Sequence, residues 1–129
     1  MATASGSGTW VGRGVYRVVW TLTGTVSNGR YESTPRLPDK TVAVRGTFGG
    51  GTITMEGSNL AVGATGLAAT GNWFALNDTR GEGNALTFTA ADGRVILENP
   101  NCIRPRFTTL VSTVTPSVTV TMVCQSTRR

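Results

Sequence analysis

Apolar and polar positions alternate along most of this chain, and a period of two places side chains on opposite faces of a strand. In residues 15–23, Tyr16, Val18, Trp20 and Leu22 share one face, while Arg17, Val19, Thr21 and Thr23 share the other. In residues 117–124, Val118, Val120, Met122 and Cys124 oppose Thr119, Thr121 and Val123. In residues 102–107, Ile103, Pro105 and Phe107 oppose Arg104 and Arg106. Proline cannot donate to a ladder, so this run is expected at a sheet edge or beside a bulge. Shorter strand-like runs occupy 41–48, 52–56, 73–76, 86–89 and 94–98.

Turn formers stand between these runs. Asn28-Gly29 and Asp92-Gly93 predict tight hairpins, because both residue types tolerate positive φ. Gly49-Gly50-Gly51 predicts a flexible hairpin turn, and Pro35 and Pro38 mark a loop over 33–40. Residues 60–71, rich in glycine and alanine, show no clear period and read as loop rather than short helix. There is no helical period and no internal repeat. Seven or eight short strands with turns between them predict an all-β antiparallel sandwich or barrel. Residues 1–12 are expected to be a flexible arm that orders on a partner, and 13–129 to be the β-sandwich domain.

Composition strengthens the β reading. The 129 residues fit one domain, and the charged fraction is only 15%. The space is taken by threonine, serine and glycine, which suit strands and turns. The net charge is +5, and Lys40 is the sole lysine among 12 basic residues. That charge reads either as arginine-rich codon usage in a GC-rich genome or as attraction to an acidic partner. The arginines are scattered singly, which argues against a polybasic nucleic-acid tail. Cys102 and Cys124 are too few for a disulfide framework; they pair only if their strands are neighbours, and reduced, partly buried thiols are the expectation. Residues 1–8 lack the basic start and apolar run of a signal peptide, and no stretch has the length of a membrane helix. A soluble protein made and used without export is expected.

The chemistry available is narrow. There is no histidine, so the commonest general base and zinc ligand is missing, and a Ser-His-Asp or Cys-His arrangement cannot form within one chain. Glu56 and Glu98 end strands and read as solvated rather than as a glycosidase pair. Asp78 and Glu82, with Asn77 and Asn84, match no EF-hand spacing. Gly49-Gly50-Gly51 lacks the lysine, hydroxyl residue and helix of a phosphate loop. The chain therefore reads as a binding protein, not an enzyme, with no catalytic, cofactor or metal residue. Trp20 and Trp73 sit in apolar alternation and read as core. Trp10, after Thr9, is a candidate anchor into a partner. Arg104 and Arg106, on one strand face, are candidates to pair with carboxylates of a neighbouring subunit or to lie on a solvated face.

One ordered series of motifs carries a resemblance. It begins with Val44-Arg45-Gly46-Thr47-Phe48-Gly49-Gly50-Gly51-Thr52-Ile53-Thr54-Met55-Glu56-Gly57-Ser58-Asn59. It continues through Asn72-Trp73, Leu76-Asn77-Asp78 and Asn84-Ala85-Leu86-Thr87-Phe88-Thr89-Ala90. It closes on Leu97-Glu98-Asn99-Pro100, Ile103-Arg104-Pro105-Arg106 and Val118-Thr119-Val120-Thr121. The series covers roughly 42–124 and resembles the head decoration (cement) proteins of tailed bacteriophages. That resemblance implies a jelly-roll-like sandwich, often trimeric, that clamps major capsid protein subunits on the outside of the virion after synthesis in the bacterial cytoplasm. Thr9, Trp10, Arg104 and Arg106 would then serve the capsid or subunit interface, with no membrane and no direct nucleic-acid contact. The stretch 61–71 is longer than that family's usual turn.

Three rivals stand beside it. The order of Glu56-Gly57-Ser58-Asn59, Trp73 and Arg104-Pro105 also resembles discoidin-type carbohydrate-binding sandwiches. Gly8-Thr9-Trp10 and Gly29-Arg30-Tyr31-Glu32-Ser33 resemble the opening of avidin-type barrels, without the later tryptophans. Charge and a few aromatics leave single-stranded nucleic acid as the third.

Overall fold

The structure is a computed structural model that describes residues 2–23, 26–79, 84–108 and 114–126. Its regular secondary structure is nearly all strand: β1 (Ala2–Ala4), β2 (Gly6–Gly12), β3 (Val15–Thr23), β4 (Val26–Gly29), β5 (Asp39–Thr47), β6 (Thr52–Ser58), β7 (Phe74–Ala75), β8 (Thr87–Phe88), β9 (Asp92–Ile96), β10 (Cys102–Thr108) and β11 (Ser117–Gln125). Sheet I has the order β1-β4-β10-β6-β7, with β8 also on β6; sheet II has the order β2-β3-β11-β5-β9. All pairings are antiparallel except β1 on β4. The all-β sandwich expected from the alternation is the fold observed.

The inward faces meet in one core. Val18, Trp20, Leu22, Val118, Val120 and Met122 come from sheet II, and Ile53, Met55, Ile103 and Phe107 from sheet I. Trp20 is fully buried, and its indole Nε1 donates to the Arg30 carbonyl at 2.8 Å, which answers its one polar atom.

Five local expectations change. Residues 2–12, read as an arm awaiting a partner, pair within the chain: β1 joins sheet I and β2 joins sheet II. Asn28-Gly29 is not a hairpin turn but part of β4, opposite Thr3 and Ala4. Gly29 serves close approach instead, since a Cβ there would come within 2.6 Å of the Pro105 ring. Asp92 and Gly93 lie in β9 opposite Val44 and Ala43, and the Gly49-Gly50 turn carries the chain from sheet II to sheet I rather than closing a hairpin. Finally, β10 is central in sheet I, although it holds Pro105. On its β4 side, the pairing consists of the Arg106–Asn28 pair and the Glu32–Ile103 bridge. Pro105 falls between those two positions, where no ladder donor is required.

A second, smaller core lies on the outer face of sheet I. The glycine/alanine stretch folds back as two short 3-10 turns, Thr65–Ala68 and Thr70–Asn72. It buries Leu67 against Trp73 and Cys102, and Trp73 Nε1 donates to the Leu67 carbonyl at 2.9 Å. Trp73 is core, as expected, but of this cover rather than of the space between the sheets. Cys124 belongs to the main core, so the two buried thiols sit in different clusters and both are free.

Candidate functional site

The four residues singled out for an interface lie on three different surfaces. Arg104 and Arg106 do share one face of β10, but Arg104 is buried beneath the cover. Its Nε donates to Glu56 Oε1 at 3.1 Å, and its guanidinium lies 4.0 Å over the Trp73 ring. Arg106 Nη1 is 3.6 Å from the other oxygen of Glu56. Glu56 is thus a buried partner rather than a solvated strand end. Burial pushes the Arg104 guanidinium down, and the Glu56 hydrogen bond and charge oppose that shift. The carboxylate sought on a neighbouring subunit is supplied by the same chain, so this cluster ties the cover to sheet I.

Thr9 belongs to the outer face of sheet II. Register sets four rows across that sheet. The first is Thr9, Arg17, Val123, Thr41 and Val95, and the second is Ser7, Val19, Thr121, Ala43 and Gly93. The third is Thr21, Thr119 and Arg45, and the fourth is Thr23, Ser117 and Thr47. Hydroxyls and small apolar groups fill these rows, and Arg17 and Arg45 are their only charges. The one acidic residue at an outward register position is Asp39, at the end of the face, where it accepts from Gln125 Nε2 at 3.1 Å. Interstrand and row spacings make the face on the order of 500 Å².

Trp10 points to the other side of β2, beyond the end of the core. Its neighbours on that side are Gly6 and Gly8, and a Cβ on Gly8 would overlap the Tyr16 hydroxyl. The glycines let β2 lie flat over Trp20 and Tyr16. Trp10 itself is 61% exposed and tilts against Tyr16 at 5.1 Å between ring centroids. The two rings and the 32–37 loop line an open groove of about 640 Å³.

This groove is held from below. Lys40 is fully buried and donates to the carbonyls of Thr34 at 3.0 Å and Leu37 at 2.8 Å, and to Asn99 Oδ1. Asn99 Nδ2 donates in turn to the Pro35 carbonyl at 2.9 Å. Desolvation pushes the Lys40 ammonium down, and the loop carbonyls replace its water shell. Glu32 is fixed by its backbone bridge to Ile103, at 2.8 and 2.9 Å. Its carboxylate has no hydrogen bond or ion pair among the described residues. Burial pushes that carboxyl up, with the Arg30 charge opposing.

Sequence reasoning missed Tyr16 as the ring beside Trp10, Glu32 in the lining of the same groove, and Lys40 as the brace of its loop. The one available signal was that Lys40 is the sole lysine, placed at the end of the loop over 33–40 and just before a strand.

The other candidates dissolve. Asp78 is buried, accepts from Asn84 Nδ2 at 2.6 Å, and lies 3.8 Å from Arg94; Glu82 lies outside the described residues. Glu98 accepts from both the backbone and side-chain nitrogens of Asn77. No cluster of metal-ligating side chains occurs among the described residues, and none of their helices is long and apolar enough to cross a membrane. No model of a known protein family matches this chain, and no curated protein or solved structure matches it either.

Proposed function

We propose that this chain is a structural binding subunit that docks through the outer face of sheet II onto an assembled protein shell. The sequence resemblance makes that shell a bacteriophage head and the chain one of its decoration proteins, contacting the major capsid protein. The observation that carries the proposal is the contrast between the two outer faces. Residues 60–73 cover the Cys102 and Arg104 part of the outer face of sheet I, whereas no described segment covers the outer face of sheet II, whose rows carry Arg17 and Arg45 as their charges and no unpaired acid. Threonine hydroxyls cost little to desolvate once they meet partners, and two arginines favour an acidic contact.

The face is smaller than the roughly 800 Å² that one partner contributes to a standard interface. Repetition on a symmetric shell, or self-association as the expected homotrimer, offsets a weak single contact by avidity. A base-stacking platform needs exposed aromatics in series, and Trp20 and Trp73 are both buried.

Purified particles from infected cells test the proposal. The expected result is this polypeptide at a copy number commensurate with the capsid subunits, and its loss from particles on Thr121→Glu. Particles that lack the wild-type chain would refute it.

A further inference from the structure

The groove combines an exposed, tilted aromatic pair with a half-buried carboxylate that accepts no hydrogen bond among the described residues, an uncommon pairing for a surface that only needs to be soluble. An exposed tryptophan presents a large apolar face to water, and a partly desolvated carboxylate gains from a hydrogen-bond donor. Trp10 and Glu32 show these two features side by side. The groove volume falls in the range of small-ligand sites. Its floor is fixed by Lys40 and Asn99, so little loop order is lost on binding.

We infer that this groove is a binding site for a neutral sugar ring. A pyranose has one face of C–H groups and a rim of hydroxyls. The exposed Trp10 ring offers an apolar face for the first, with Tyr16 tilted against it at 58° as a side wall. Glu32 offers an acceptor for paired hydroxyls, and Ser33, Thr34 and Arg36 line the same groove with hydroxyl and guanidinium groups. An acid and an arginine around one aromatic floor match a ligand that both donates and accepts. A cationic ligand would gain from Glu32 and the rings but would meet the Arg36 charge. An aliphatic ligand would leave Glu32 unsatisfied.

Trp10 and Thr9 point to opposite sides of β2, so this site is separate from the docking face. Sugar binding by the isolated protein neither requires nor implies attachment to a particle.

The test is calorimetric or ligand-observed NMR titration of the full chain with glucose, galactose, mannose and N-acetylglucosamine, and with short oligomers of each. Tetramethylammonium serves as the cationic probe. Saturable binding of at least one sugar is expected. Trp10→Ala should weaken it by about ten-fold or more, and Glu32→Gln should weaken it while circular dichroism and the unfolding midpoint show an intact fold. Thr121→Glu, on the docking face, should leave sugar affinity unchanged. Three outcomes overturn the inference: no saturable response to any sugar, undiminished binding by folded Trp10→Ala, or binding of tetramethylammonium alone.

Discussion

The two outer faces of this sandwich start from the same kind of strand and end differently. In sheet I, β10 turns Arg104 and Arg106 outward, and Leu67 and Trp73 lie over Arg104 and Cys102 to make a second core, while Arg106 stays part-exposed at its edge. In sheet II, β11 turns Thr119, Thr121 and Val123 outward, and no described segment covers them. A buried arginine demands a carboxylate and a cover, and Glu56 and residues 60–73 provide both. A threonine/valine face makes no such demand. Its side chains tolerate water and would equally tolerate the proposed partner, and among the described residues nothing covers them.

If the cover is structural, breaking its ion pair has the largest effect. Glu56→Ala leaves Arg104 buried without its carboxylate and should cost about 3 kcal/mol of stability, read by urea unfolding. Leu67→Ala removes the apolar plug under Trp73 and should cost about 2 kcal/mol, with Trp73 fluorescence shifting toward that of an exposed indole. On the bare face, Thr121→Glu should change stability by less than about 0.5 kcal/mol while abolishing attachment to particles. A large loss of stability there would mean that the face is part of the folding core, and the contrast would fail.

The smallest effect lies at the end groove, outside both faces. Because the folded protein holds the Glu32 proton more tightly than the unfolded chain, it binds more protons between the ordinary and the raised values. Stability contributed by this group is therefore lost as pH rises through that window. Glu32→Gln should make the protein slightly more stable at neutral pH, with the gain vanishing below the ordinary glutamate value of 4.5. Paired thermal melts at the two pH values read the difference.

The sequence was legible where side chains themselves report the alternation. β3 and β11 are found at or within one residue of the predicted ends because every inward position is apolar. β2 was invisible because two of its inward positions are glycines, which leave no pattern, and the strand reads as linker. β4 was misread because Asn28-Gly29 is a turn signal by local preference, and only the Pro105 ring opposite explains the glycine. Pro105 in a central strand is the same lesson, since the gap that accommodates it depends on what the neighbouring segment does. Of the candidate interface residues, Arg104 shows the limit most clearly. The shared face of Arg104 and Arg106 follows from period two, but the partner Glu56 follows from register, and the cover follows from a stretch with no period at all. The groove joins Trp10, Tyr16, the 32–37 loop and Lys40 from separate segments, so no local window displays it.

Hydroxyl-radical footprinting of the free and particle-bound protein tests the central contrast most directly. Docking through sheet II predicts protection of Val19, Val95 and Val123, with Val62 on the sheet I cover labelled equally in both states. Protection of Val62 with undiminished labelling of the three sheet II valines would contradict the account.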